Sequence, residues 1–281
     1  MADNPVSLPG NKNVLFTNRQ LVTLMWPLLL EQMLAIAVGL ADSLMVATVG
    51  DAAISAVSLV DSISNLMIYI FSAMATGGAA VAGQYIGLKQ KEDACNAGQQ
   101  LIALLAVVSV SFAALLYLFR PQILTTMFGH IEPDVMDATN TYYLYVMASI
   151  PGIALYNGGA ALFRTMGRSD VSLKVSLLMN GINVTGNAIL IFGVGMDVAG
   201  VAIPTLISRT VAAAVILTLL FNKKLMLHLS DVRGFRLNMR LMRNIFYIGV
   251  PSGVENGMFQ LGRLVLFSLI STFGTASMVA N

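Results

Sequence analysis

The sequence is poor in charge. Only 11% of its 281 residues are Asp, Glu, Lys or Arg, whereas 57% are hydrophobic and the mean hydropathy is +0.77. Soluble domains carry about 25% charged residues, so this composition argues against a single water-soluble globule. The net charge is only +2 and no long basic run occurs in a polar domain. These two features argue against a disordered chain and against a nucleic-acid-binding protein.

Cysteine and histidine are scarce as well. Cys95 is the only cysteine, so no intrachain disulfide forms. We interpret Cys95 as an ordinary loop thiol without a histidine neighbour, and we place His130 and His228 in loops on opposite sides of a membrane. The sequence has no HExxH motif, no GxSxG with a partner histidine and no Walker motif. We therefore predict that the protein is not an enzyme, binds no cofactor and does not itself use ATP.

Long apolar stretches are what the sequence has in abundance. Each stretch is long enough to cross a hydrocarbon layer of ~30 Å as a helix, which predicts an all-α polytopic membrane protein in contact with the lipid bilayer. The predicted spans are residues 21–46, 55–80, 95–119, 139–163, 172–193, 200–221 and 244–273. The polar segment before the first span lacks the apolar core of a signal peptide, so it is interpreted as a tail.

The basic residues are distributed unequally between the two sides of these spans. Of the 16 Lys and Arg residues, thirteen fall in the N-terminal tail and in the loops that follow the second, fourth and sixth spans. The positive-inside rule then predicts a multi-pass protein of the cell (inner) membrane with a cytoplasmic N-terminus. In the loop after the sixth span, Arg233, Arg236, Arg240 and Arg243 recur every three or four residues, which suits an amphipathic helix on the membrane surface.

The first and seventh spans resemble each other. Pro27 and Pro251, Glu31 and Glu255, and Gly50 and Gly274 each lie 224 positions apart. Six spans separate the copies, so both copies cross the membrane in the same direction, as in parallel repeats of secondary transporters. This pattern predicts a tail (1–20), an N-terminal six-helix lobe (21–221), a basic connector (222–243) and the first helix of a truncated second lobe (244–281). A genuine seven-span protein is the alternative.

Charged side chains inside a bilayer are costly and usually face a cavity or a partner. The candidates are Glu31, Asp42, Asp61, Arg209, Glu255 and Arg263. Glu31 and Asp42 are eleven residues apart, which places both on one helix face about 16 Å apart along the axis. Glu31 and Glu255 could instead bond backbone groups freed by the nearby prolines, and the two arginines could simply neutralise a carboxylate.

Asp42 lies about one turn from the end of the first span. Asn183 and Asn187 share one face of the fifth span, and Asn187 lies at a similar depth to Asp42. A carboxylate with two amides is suited to a proton or to Na⁺, so these three residues are the predicted cation-coupling site. The amides could also serve only as interhelical hydrogen bonds.

Several short motifs carry a resemblance to a known family. They are Trp26-Pro27 with Asp42-Ser43-Leu44-Met45-Val46, Gln84-Tyr85-Ile86-Gly87, Phe163-Arg164-Thr165-Met166-Gly167-Arg168, Asn183-Val184-Thr185-Gly186-Asn187, and Gly249-Val250-Pro251 with Glu255. In their order and spacing they resemble the multidrug and toxic-compound extrusion (MATE) transporters over nearly the whole chain.

The resemblance implies a twelve-helix antiporter with two six-helix lobes and a V-shaped cavity. Asp42 matches the family's first-helix cation-site aspartate, Asn183 and Asn187 match its fifth-helix polar pair, and Glu255 matches its seventh-helix acidic residue. Position 187 is often Asp in the family, so Asn187 lowers the charge of the site. Glu31 is a possible cavity residue. The missing second lobe would normally be supplied by the same chain.

The function that follows is export of cationic or amphipathic organic molecules in exchange for H⁺ or Na⁺, with no nucleic-acid partner. Two alternatives remain open from the sequence. One is a flippase for a lipid-linked precursor, which would use a more basic cavity. The other is a half-size membrane subunit that does not transport by itself.

Overall fold

The computed structural model describes residues 18–128, 132–229, 238–239, 241–249, 251 and 258. Within these ranges the chain is helical, with no strand. The elements are α1 (Asn18–Ala47), α2 (Asp51–Gly87), α3 (Lys91–Leu118), α4 (Arg120–Phe128), α5 (Pro133–Thr165), α6 (Ser169–Ala188) and α7 (Ala199–Leu220). A π-helical turn, Ile189–Gly193, continues α6. Residues 241–249 are helical again.

Six of these helices are long and apolar enough to cross a membrane, namely α1, α2, α3, α5, α6 with its π turn, and α7. A helix satisfies every backbone hydrogen bond within itself, which a lipid environment demands. The prediction of an all-α membrane protein is therefore confirmed, and the six helices coincide with the first six predicted spans. The seventh, at 244–273, lies mostly outside the described residues.

The structure differs from the sequence prediction in the bounds of several helices, in one additional helix and in the connector. Helix α2 starts four residues before the predicted span and ends seven after it. The prediction followed only the apolar stretch, whereas the helix continues through polar residues at both ends. Helix α4 is short and was missed, because its nine residues are too few and too polar to register as a span. In the basic connector, residues 222–229 form turns, and Arg233, Arg236 and Arg240 of the expected amphipathic helix lie outside the described residues.

Helix α5 is the centre of the bundle. It contacts α2, α3, α6 and α7, and 72% of its most apolar 18-residue window is buried. Small residues allow these close approaches: a side chain at Gly158 would overlap Leu105 of α3, and one at Gly159 would overlap Ile216 of α7. Since lipid tails are as apolar as the helices, such close packing is what holds a membrane bundle together.

Helix α1 lies at the edge of this bundle. It packs mainly against α6, and only 6% of its most apolar window is buried. Its outward face carries large apolar side chains such as Met33, Ile36, Leu40 and Leu44, which are more than half exposed. Apolar packing therefore contributes little to the position of α1, and its polar contacts with the bundle matter correspondingly more.

Glycine allows two sharp turns between spans. Gly50, between α1 and α2, has a φ of 136°, and Gly167, between α5 and α6, has a φ of 74°. Side chains other than glycine rarely adopt these backbone angles. The first turn brings α2 beside the end of α1, and the second returns the chain from α5 into α6.

Gly186 of α6 generates a stability prediction. A Cβ at this position would lie 2.7 Å from the Cβ of Pro204 on α7. We expect Gly186→Ala to force α6 and α7 apart and to lower the free energy of unfolding by about 1–3 kcal/mol. Thermal unfolding of the purified protein in detergent measures this loss. Gly181→Ala on the same helix is the control, because a Cβ there meets no atom within 4 Å. Equal melting temperatures for the two variants would contradict the close approach.

Candidate cation site

Asp42 is held by the amide of Asn187. The Nδ2 of Asn187 on α6 donates a hydrogen bond of 2.8 Å to Oδ1 of Asp42 on α1. Asn187 is fully buried, and Asp42 is half-buried. The structure thus brings together two of the predicted site residues, which lie 145 positions apart in the chain.

Asn183 lies one helical turn before Asn187 and faces the same carboxylate. With its amide nitrogen toward Asp42, Asn183 donates to both carboxylate oxygens at 3.1 Å, while its own oxygen accepts from Thr205 Oγ1 of α7 at 3.1 Å. With the amide rotated, its nitrogen donates to Thr205 Oγ1, which in turn donates to the backbone oxygen of Val201. The sequence analysis missed Thr205, although it directly follows Pro204 in an apolar helix.

The orientation with the Asn183 nitrogen toward Asp42 satisfies the polar atoms on both sides of the amide, whereas the opposite orientation places the amide oxygen against the carboxylate oxygens. When the nitrogen faces Asp42, the ionised carboxylate has donors from both asparagines. The carboxylate itself supplies two oxygen atoms. A further oxygen, Oδ1 of Asn187, is buried and has no hydrogen-bond partner among the described residues. Carboxylate and amide oxygens suit hard cations, so the residues fit a proton or Na⁺.

Transition-metal chemistry does not fit the same residues. Over the described ranges, no group of three or more His, Cys, Asp or Glu side chains comes together to hold a metal ion. The ligand set at Asp42 consists of one carboxylate and neutral oxygen atoms. It lacks the nitrogen and sulfur ligands that zinc and copper sites use.

A small cavity opens beside Asp42. It has a volume of about 150 Å³ and is also lined by Asp61 of α2 and Tyr142 of α5. The Tyr142 hydroxyl donates a hydrogen bond of 3.2 Å to Oδ1 of Asp61. The sequence analysis identified Asp61 as an intramembrane acid but did not connect it with Asp42. Tyr142 gave no signal, since aromatic residues are common in membrane helices.

Arg209 of α7 lies near these acidic groups, because its partner Ser64 is one helical turn from Asp61 on α2. Its Nη1 donates to Ser149 Oγ at 2.9 Å and to Ser64 Oγ at 3.5 Å, so two serine hydroxyls hold the guanidinium. The charge of Arg209 acts on both Asp61 and Asp42.

Glu31 lies in a separate polar cluster toward the basic loops. Its carboxylate accepts hydrogen bonds from Tyr156 at 3.0 Å and from Ser172 at 3.2 Å, and it lies 3.8 Å from Arg164. Ser172 belongs to α6, so Glu31 and Asp42 both face α6, as their spacing predicts. In the described helices the Glu31 carboxylate is bound to side chains of α5 and α6. Its exposure to a transport cavity stays a prediction.

Two predicted intramembrane residues, Glu255 and Arg263, lie outside the described residues. The acidic site expected at Glu255 in the second lobe therefore stays a prediction from the sequence.

A larger cavity of about 690 Å³ opens on the side away from the basic loops. Four carboxylates line it, from Asp51, Asp134, Asp137 and Asp197. The sequence analysis did not identify this group, because its members come from three separate loops and helix starts.

Cys95 is not the isolated loop thiol that the sequence suggested. It lies buried in the first turns of α3, and its Sγ is 3.6 Å from Nδ1 of His228. That interpretation was wrong because the two residues are 133 positions apart, and only the return of the chain after α7 brings them together. The other histidine, His130, lies outside the described residues.

Over the described residues, these features define a helical membrane protein in which a half-buried carboxylate contacts two buried amides between the spans. The MatE family model matches residues 27–189, more than half of the chain. The chain belongs to the MatE family, in agreement with the sequence resemblance.

Curated relatives match over most of the chain. The uncharacterized transporter YisQ of Bacillus subtilis is 28% identical over 93% of this chain and 58% of its own length. The probable multidrug resistance protein NorM of Thermotoga maritima is 22% identical over 91% of this chain and 55% of its length. The multidrug export protein MepA of Staphylococcus haemolyticus is 24% identical over 79% and 48%. The chain thus spans about half the length of these relatives.

Solved structures show the same fold. An outward-facing multidrug resistance MATE transporter of the MOP superfamily superposes with a TM-score of 0.82 at 22% identity, covering 91% of this chain and 56% of the other. A MOP superfamily transporter from Pyrococcus furiosus, described as having a binding pocket of reverse polarity, superposes with a TM-score of 0.83 at 21% identity, covering 93% and 57%.

The Glu31 cluster generates a second prediction. We expect Glu31→Ala to lower the free energy of unfolding by about 1–3 kcal/mol, because it removes the acceptor of two part-buried hydroxyls. The comparison variant is Asp170→Ala, whose carboxylate pairs with Lys174 at 3.4 Å on an exposed surface. Exposed pairs contribute little, so this change should cost less than about 0.5 kcal/mol. Thermal unfolding in detergent measures both, and a smaller loss for Glu31→Ala than for Asp170→Ala would refute the role of the cluster.

Proposed function

We propose that the six described spans form one lobe of an exporter that moves cationic or amphipathic organic molecules outward in exchange for H⁺ or Na⁺. The observation that carries the proposal is the part-buried hydrogen bond between Asp42 and Asn187, with Asn183 alongside. A carboxylate is costly within a membrane, and intramembrane acids mark ion pathways. Two relatives that bear the names multidrug resistance and multidrug export protein support the direction and the substrate class.

The site couples an ion to structure through the two asparagines. Without an ion, both amides donate to ionised Asp42 and draw α1 against α6. When a proton or Na⁺ neutralises the carboxylate, the demand for these donors falls and the Asn183 amide is free to turn. Because α1 has little apolar packing, a change at Asp42 alters the main attachment of this half of the helix.

The acidic cavity on the other side favours the same function. Four aspartates around one opening create a negative potential that raises the local concentration of cations. A cavity with this charge suits both the entry of a coupling ion and the release of a cationic substrate.

We propose the arrangement in the membrane from the sequence pattern. The protein lies in the inner membrane of the cell, and its N-terminal tail and basic loops face the cytoplasm. Residues 21–221 form the first lobe, 222–243 the connector, and 244–281 the opening helix of a second lobe. Glu255 is the acidic residue of that second lobe.

The rival functions have less support. A flippase for an anionic lipid-linked precursor needs a basic cavity, but the cavity at Asp42 is lined by two carboxylates, and serines hold Arg209. A half-size subunit that pairs with another chain would use the same ion site. Sequencing the gene past Asn281 separates that interpretation from a single chain with two lobes.

Asp42→Asn tests the proposal. The whole gene product is reconstituted into liposomes, and export of tetraphenylphosphonium is followed under an imposed H⁺ gradient and, separately, under an imposed Na⁺ gradient. We expect the unmodified protein to respond to one of the gradients. In Asp42→Asn, transport should fall to the rate without a gradient. A neutral amide can neither bind and release a proton in this pH range nor offer a negative charge to Na⁺.

The control is Asp93→Asn, which makes the same chemical change on the exposed first turn of α3. It should leave gradient-driven transport unchanged. Full gradient response in Asp42→Asn, or no response of the unmodified protein to either gradient, would contradict the proposed coupling.

A further inference from the structure

Two carboxylates, Asp42 of α1 and Asp61 of α2, line the cavity beside Asp42. Arg209 of α7 lies near them, because its Nη1 donates to Ser64, which is one helical turn from Asp61 on α2. The charge of Arg209 acts on both carboxylates. Helix α5 adds Tyr142, which donates to Asp61, and α6 adds only the neutral amides of the asparagines. With these groups ionised, the described residues around the cavity carry two negative charges and one positive charge.

The hydrogen bonds of these three charged groups go to neutral side chains, so they do not cancel the net negative charge. The Arg209 guanidinium is fixed by Ser149 and Ser64, while Asp61 is bound by Tyr142 and Asp42 by Asn187. Each charge is therefore held in place by a neutral partner. Charges arranged in this way interact through space across a medium of low dielectric constant, where the interaction is far stronger than in water.

The proposed exporter needs one monovalent cation to make this cluster neutral. We propose that Asp61 and Arg209 form a counter-charge pair that sets the affinity and number of coupling ions at Asp42, with Asp61 as a second ion-site carboxylate. Asp61 supplies the second negative charge that makes the site attract an ion. Arg209 cancels one of the two, so that a single ion completes the balance. This inference rests on the proposed ion-coupled function and assigns roles to residues outside the Asp42, Asn183 and Asn187 set.

The charge balance makes opposite predictions for the two residues. Asp61→Asn leaves Asp42 and Arg209, which are already neutral together, so ion affinity should fall at least about tenfold. Arg209→Gln leaves two carboxylates, so affinity should rise at least about tenfold or a second ion should bind. The double variant Asp61→Asn with Arg209→Gln returns to one negative charge, and its affinity should come back to within about threefold of the unmodified protein.

The measurement is direct ion binding to the whole gene product in nanodiscs. Na⁺ is titrated by isothermal calorimetry at fixed pH, and proton exchange is followed in parallel with a pH dye in weak buffer. Arg209→Lys is the matched control, because it keeps the charge at the serine hydroxyls, and its affinity should stay within about threefold. Circular dichroism and thermal unfolding establish that each variant is folded.

The outcomes separate this inference from the function on which it rests. Opposite shifts in the single variants with recovery in the double variant support it. Shifts in the same direction, or a double variant that binds the ion no more tightly than Asp61→Asn, overturn the inference. The coupling function still stands in that case if the unmodified protein binds an ion and Asp42→Asn does not. If Arg209→Gln does not fold, the comparison of Asp61→Asn with the double variant decides alone. Absence of ion binding in the unmodified protein overturns both.

Discussion

The position of α1 depends on a half-buried carboxylate that is held between membrane helices. Asp42 takes its place only because α6 offers amide donors one turn apart, at Asn183 and Asn187. A carboxylate without such partners would be costly at this depth. The same bonds attach α1 to a bundle whose apolar core otherwise centres on α5. The edge helix is therefore attached through the same few atoms that we propose bind the ion, which would link binding to conformation.

Packing of small residues makes this arrangement possible. Gly186 lies between the two asparagines and brings α6 against Pro204, next to Thr205. A bulkier residue at 186 would move the amides away from the hydroxyl that accepts from or donates to Asn183. The packing of Gly186 against Pro204 thus helps to set the positions of the two amides.

Much of the architecture could be predicted from the sequence, because hydrophobic length and charge asymmetry are strong signals in membrane proteins. The first six spans and the meeting of Asp42 with Asn187 followed from helix depth. Contacts between residues that are far apart in the chain were harder to predict from the sequence. Thr205 and Tyr142 are ordinary residues for apolar helices, and the nearness of Cys95 and His228 depends on where the chain returns after α7. The nearness of Arg209 to Ser64, one turn from Asp61 on α2, needed the three-dimensional position of α7.

The two polar attachments of α1 have a mechanical consequence. Glu31 binds α5 and α6 near one end, and Asp42 binds α6 about 16 Å further along the axis. A rod fixed at two points cannot tilt, whereas a rod released at one point pivots about the other. If the bonds at Asp42 relax while those at Glu31 persist, a tilt of about 10° displaces the Asp42 end by about 3 Å. The Glu31 cluster would then be the point about which α1 pivots, and the Asp42 end would be the part that moves.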